Sequence, residues 1–130
     1  MPLELINPEA LHTPLSNTHV IASTGSRLIF IAGQAADDAD GKLVPGDLAA
    51  QARQAFANVG HALAAARARP EQVVRITIYV VDHRPEFLPV ISEARIAMFG
   101  DHKPTDTLVG VARLAEPGYL IEVDAIAVVD

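Results

Sequence analysis

The sequence predicts an α+β fold: a mixed β-sheet with two helices packed on one face. Three observations predict it. Apolar β-rich runs and amphipathic helical runs follow one another in the order β, β, α, β, α, β, β. Only two segments carry a helical apolar stripe, too few to cover both faces of a sheet. The chain has 130 residues, half hydrophobic and a fifth charged, which suits one buried core and excludes a disordered chain. By surface scaling, 13.8 kDa folds to roughly 6,600 Å² of accessible surface, so a single domain spans residues 1–130. With aromatics at 5 % and no Trp, that core is built from Ala, Val, Ile and Leu.

The first 17 residues are polar, with Pro2, Pro8 and Pro14. They read as a surface arm, its main part residues 1–14, with a short strand at Leu3 to Ile6. His19 to Ser23 and Leu28 to Ala32 are β-rich runs flanking Thr24-Gly25-Ser26-Arg27, a turn signal, so the pair is expected to form a hairpin. Asp37 to Gly46, rich in Asp and Gly, reads as a surface loop. Asp47 to Arg69 is the clearest helix. Asp47 is its expected N-cap, and Leu48, Ala52, Ala55, Phe56, Val59, Leu63 and Ala66 form one stripe. Pro70 is expected to stop it, with Arg67 and Arg69 favourably placed at the negative end of its dipole. Val73 to Val81 is a strand, and Asp82-His83-Arg84-Pro85 turns the chain. Pro85 to Phe99 is a second helix with Phe87, Ile91, Ala94, Arg95 and Met98 near one face and Gly100 as its stop. Asp106 to Val111 and Tyr119 to Val129 are strands connected through Glu116-Pro117-Gly118. The sheet face that two helices leave bare is expected to be covered by self-association.

Composition also excludes function classes. The formal net charge is −6, with 10 basic and 16 acidic residues, and no basic cluster fit for phosphates, so nucleic acid is not an expected partner. There is no cysteine, hence no disulfide, thiolate nucleophile or Cys-based metal site. The histidines His12, His19, His61, His83 and His102 are scattered without metal-ligand spacing, so no metal is expected. No apolar run approaches a membrane span, and the N-terminus lacks a signal-peptide pattern, which makes the cytoplasm the expected location. Walker, Rossmann and G-x-S-x-G motifs are absent. On these grounds alone the residues indicate an acidic, self-associating α+β domain without a named reaction.

Several segments together resemble the RidA/YjgF family, also called L-PSP endoribonucleases or reactive-intermediate deaminases. Leu28-Ile29-Phe30-Ile31-Ala32-Gly33-Gln34 is similar to that family's strand ending in Ser-Gly-Gln. Ala49-Ala50-Gln51-Ala52-Arg53-Gln54 with Asn58-Val59 is similar to its first helix, and Val73 to Asp82 to its middle strand. Pro104 with Thr107-Leu108-Val109-Gly110-Val111 resembles its Pro-Ala-Arg-Ser signature strand. Leu120-Ile121-Glu122-Val123-Asp124-Ala125-Ile126-Ala127 resembles its closing strand. The match runs in order over about residues 15 to 129. It implies a chorismate-mutase-like fold, a homotrimer and small-metabolite pockets in the clefts between subunits, with no cofactor.

The site residues depart from the family pattern. Its deaminases carry an Arg two positions after the signature Pro, which holds the substrate carboxylate in a forked pair. That position is Asp106 here. The family's Ser before Gly-Gln is Ala32, an aromatic of the first long strand corresponds to His19, an Asn of the second helix to Ser92, and a frequent Cys to Leu108. Thr107 follows Asp106 on the signature strand. Glu122 is retained, together with Gly33 and its backbone N–H. By resemblance, Glu122 is the catalytic acid/base, while His19, Ala32, Gly33, Ser92, Asp106, Thr107 and Leu108 bind substrate. On the residues alone, Glu122 reads first as a solvated acid sharing a strand side with Asp124, Asp106 as a turn residue, and His19 as a packed or exposed side chain. Arg113 reads as surface.

The resemblance points to a hydrolytic deaminase of an enamine or imine other than the usual 2-iminocarboxylates. The alternative is a non-catalytic trimer that binds a small metabolite. Asp106 predicts little activity on 2-aminoacrylate-type imines. If Asp106 and Glu122 share one desolvated cleft, one of the two carboxyls is expected to titrate high.

Overall fold

A computed structural model describes residues 3–14 and 17–130. Residues 1, 2, 15 and 16 of the expected arm lie outside the described residues. Six strands and two long helices follow the expected order: β1 (Leu3–Ile6), β2 (Val20–Ser23), β3 (Arg27–Gln34), α1 (Leu48–Ala65), β4 (Val73–Val81), α2 (Leu88–Phe99), β5 (Thr105–Val111) and β6 (Ile121–Val129). The main sheet has the order β3-β6-β4-β5, with β5 parallel to β4 and the other pairs antiparallel. The closing strand is therefore central, and α2 is the crossover that makes β4 and β5 parallel.

The expected hairpin of the two early runs does not form. β2 pairs with β1 in a separate antiparallel ribbon, Leu3 opposite Ser23 and Ile6 opposite Val20. The turn residues reverse nothing between β2 and β3. Instead the Ser26 N–H bonds to the Val129 carbonyl, which hands the chain straight to β6.

Asp47 caps α1, its carboxylate accepting the Ala50 N–H at 3.1 Å. The apolar stripe buries Ala52, Ala55, Phe56, Val59 and Leu63 against the sheet. Four of the expected helical residues, Ala66 to Arg69, fall outside the helix, which ends before Pro70 acts. Arg67 takes a left-handed conformation (φ 59°), and the Ala68 N–H returns to the Leu63 carbonyl at 2.9 Å. This is a Schellman closure with Arg in the place usually held by Gly, so no glycine signalled it. Arg27, reaching over from β3, donates to the Ala66 carbonyl at 2.7 Å and supplies the cation at that helix end.

Ile29 and Ile31 of β3, Ile76, Ile78 and Val80 of β4, and Ile121, Val123, Ala125 and Ala127 of β6 point toward the helices. Phe56 of α1 meets Phe99 of α2 edge to face, ring centres 6.2 Å apart. Gly60 lies so close to Met98 that a Cβ there would be 3.0 Å from the methionine methyl, which is how the two helices approach. The opposite sheet face is bare. Leu28 is 62 % exposed and Phe30 70 %, and Val109 is exposed as well. The chain exposes 7472 Å² in all, more than the roughly 6,600 Å² that scaling gives a compact monomer of this mass. No helix is long and apolar enough to cross a membrane among the described residues.

Candidate functional site

The register of the sheet decides which candidate residues meet. On β5, Asp106 lies beside Ile76 and Leu108 beside Ile78, so both point to the helix-covered side. Thr107, one residue on, must point the other way. There its hydroxyl accepts from Arg75 at 2.9 Å. Glu122 lies opposite Tyr79 on β6, between the inward-facing Ile121 and Val123, and so belongs to the bare face. Asp106 and Glu122 thus stand on opposite faces of one sheet, and within a single chain they share no cleft.

The candidates fall into two separate groups. The first is a cleft of about 420 Å³ between α2 and β5, lined by Ser92, Arg95, Asp106 and Leu108 with apolar walls from Ile78 and Leu88. Arg95 is 4 % exposed. Its terminal nitrogen donates to the Ser92 hydroxyl at 2.9 Å, and its Nε stands 3.9 Å from the Asp106 carboxylate. Burial pushes the Asp106 carboxyl above the ordinary carboxylate value, with Arg95 and Arg75 pulling it back. Burial likewise pulls the Arg95 guanidinium down, countered by Asp106. The high titration expected of a carboxyl pair is therefore found at Asp106, but its cause is desolvation and not Glu122. Arg95 was legible as a member of the α2 face. Nothing in the spacing marked it as the partner of Asp106, because their contact depends on how α2 lies over β5.

The second group lines a smaller cavity of about 180 Å³, with Gly33, Gln34, Asp37, Glu116, Tyr119 and Glu122 among its walls. The β3–β6 register slips between Ile31 and Gln34, so Ala32 and Gly33 form a β-bulge at the edge of the cavity. The Glu122 carboxylate lies directly on Gly33. A Cβ at that position would stand 2.0 Å from Oε2. Glycine is needed here for close approach, its φ being unexceptional. Among the described residues no hydrogen bond holds the Glu122 carboxylate. Ala32 contributes its backbone, its carbonyl accepting from the Gln34 side chain at 3.0 Å.

Two polar residues of α1 position this cavity. Asn58 donates to the carbonyls of Ala35 and Asp37, both at 2.9 Å, and is itself held by Gln54. Gln51, 2 % exposed, donates to the Gly118 carbonyl and accepts the Leu120 N–H, both at 2.8 Å. One side chain thus fixes the chain leaving β3 and the other the chain entering β6. Burying an amide is favourable only when its donors and acceptors are met, and here each is a two-point clamp. Tyr119 donates to Asp37 across the same cavity. That bond, then burial and the nearby acids, push its phenol up to about 12. His19 belongs to neither group. Its ring nitrogen meets the His12 carbonyl at 2.8 Å, and its backbone N–H donates to Asn7, within the arm. Arg113 is exposed, as expected.

Comparisons with known proteins agree with this fold. A family model described as endoribonuclease L-PSP matches residues 10–129. Protein HMF1 of Saccharomyces cerevisiae is 36 % identical over 104 residues, covering 78 % of this chain and 77 % of its own. The 2-iminobutanoate/2-iminopropanoate deaminase of Bos taurus is 35 % identical over 103 residues, 78 % of this chain and 73 % of its own. The crystal structure of YyfB from Yersinia pestis, a Rid-family protein described as of unknown function, superposes with a TM-score of 0.93 at 38 % identity, covering 99 % of this chain and 100 % of that one. The two helices on a mixed sheet and these matches converge: the chain belongs to the RidA/YjgF family.

Proposed function

We propose that the chain is a hydrolytic deaminase of an enamine or imine, acting in the cytoplasm in clefts between copies of itself. The observation that carries this reading is the Glu122 carboxylate seated on Gly33 at the edge of an open cavity. There it can take a proton from a water that attacks the C=N carbon. The new C–O bond forms as the π electrons move to nitrogen. Glu122 returns that proton to nitrogen, giving a carbinolamine; it then takes the carbinolamine hydroxyl proton and passes it to nitrogen as the C–N bond breaks, so that a carbonyl compound and ammonia leave. The deaminase named above, at 35 % identity, supports the reaction class.

Each chain holds half of what this chemistry needs. A homotrimer in which one copy sets its bare face, with Phe30 and Glu122, against the α2–β5 cleft of the next would join the halves. The exposed Leu28 and Phe30 and the excess of accessible surface favour such an assembly. Asp106, standing where deaminases of the family carry Arg, turns the substrate away from simple 2-iminocarboxylates. The same substitution, with Ala32 and Leu108, favours a second reading, a trimer that only binds a small metabolite. Ammonia release from imines generated in situ separates the two. Glu122→Gln should lower the rate by about 100-fold or more while the assembly stays intact. Equal rates in the variant and the parent protein would refute the catalytic reading.

A further inference from the structure

The polar pole of the α2–β5 cleft is a matched pair of opposite charges. Arg95 and Asp106 face each other at 3.9 Å, wider than a closed hydrogen bond, in a cleft otherwise walled by Ile78, Leu88, Pro89 and Leu108. The Arg95 side chain is 5 % exposed and that of Asp106 14 %, so the edge that remains open belongs mainly to the carboxylate. Ser92 accepts from the guanidinium and keeps its own hydroxyl proton to donate.

We propose that the Arg95–Asp106 pair selects a substrate with a neutral polar head that carries an acceptor beside a donor, a primary amide or ureido group, and rejects free carboxylates and free amines. An anion entering this cleft meets Asp106 and must compete with it for Arg95. A cation meets Arg95 in the same way. A group with a carbonyl oxygen next to an N–H satisfies both: the oxygen accepts from the guanidinium, and the N–H donates to Asp106. No net charge is then carried into the cleft. Buried polar groups discriminate most strongly against ligands that leave them unpaired. The assignment rests on the deaminase reading for the use of the site, but head-group selection is a property of binding and is read separately.

The test uses the full-length assembled protein and two isosteric probes, 2-oxobutanoate and 2-oxobutanamide. Each is titrated into isotopically labelled protein and followed by NMR. The wild type should bind the amide more tightly by about tenfold, the scale of one charge-assisted hydrogen bond. Asp106→Asn removes the carboxylate that competes with an incoming anion and should reverse the order. Asp106→Ser serves for the same comparison if the Asn variant does not fold. A wild type that prefers the carboxylate, a preference unmoved in both variants, or no binding of either probe in the cleft overturns the assignment. Selective binding of the amide without ammonia release from any imine would overturn the deaminase reading and leave the selectivity standing.

Discussion

Replacing Gly33 with alanine separates chemistry from folding. The added methyl would lie 2.0 Å from Glu122 Oε2, 2.7 Å from its carboxyl carbon and 3.0 Å from Cγ. Ordinary contact begins at 3.4 Å, so the carboxylate must retreat by about 1.4 Å or more. The backbone itself tolerates the change, because Gly33 is not in the left-handed region. What gives way is the far end of a flexible side chain at a cavity edge, a rotation costing of order 1 kcal/mol. Catalysis is less forgiving. Misplacing a reacting group by about 1 Å costs roughly 100-fold in rate, equivalent to about 2.7 kcal/mol of transition-state stabilisation. Gly33→Ala should therefore fold, assemble and denature nearly as the wild type does, yet release ammonia from its imine substrates about 100-fold more slowly. The assay pairs urea denaturation with ammonia release measured above the spontaneous rate. Wild-type kcat/KM in this variant would refute the role of the Glu122–Gly33 contact. A large loss of stability would show that the bulge is structural first.

Other parts of the molecule make independent predictions. Asp47→Ala removes the side-chain cap on the Ala50 N–H and should cost about 1 kcal/mol in urea denaturation at fixed protein concentration. Phe30→Asp should cost little within one chain, since Phe30 is 70 % exposed, but should lower the light-scattering mass to the 13.8 kDa of one chain. A trimer mass for that variant would place the interface elsewhere. Tyr119, raised to about 12 by Asp37, should stay protonated through the ordinary phenol range near 10.0, and Asp37→Asn should let it ionise at lower pH in an absorbance titration. The sign follows from the raised value. This contribution to stability is fully present below the unfolded pKa of about 10 and is lost as pH climbs through about 12.

The two helices and strands β3, β4 and β6 were legible because each has one buried side. The stripe from Leu48 to Leu63 and the alternation from Ile121 to Val129 leave little choice of structure. Pairing was less legible. Thr24-Gly25-Ser26-Arg27 signals a change of direction but does not say that β2 turns to β1 while β3 runs on to β6. The end of α1 was misread because Arg67 adopts a backbone conformation that glycine usually marks. At the site, Glu122 and Gly33 were reached by resemblance, and sheet register then set Glu122 and Asp106 on opposite faces. Register is a property of three strands at once and leaves no local trace in the sequence. Gln51 and Asn58 lay inside a recognised helical segment, but their work as clamps shows only when the loops they hold, distant in sequence, are beside them. Arg95 was placed near one face of the second helix with Phe87, Ile91, Ala94 and Met98. Its meaning came from Asp106, a carboxylate supplied by a different element.

The most direct test of a site shared between copies is complementation. Glu122→Gln removes the acid/base from one half-site, and Leu108→Trp fills the α2–β5 cleft of the other. Each variant alone should be inactive. Unfolded together in equal amounts and refolded, they should recover about a quarter of the wild-type rate per site, since random assembly in a cyclic oligomer unites the two intact halves at one junction in four. Ammonia release that never rises above that of the separate variants would contradict the shared site and place the reaction within a single chain.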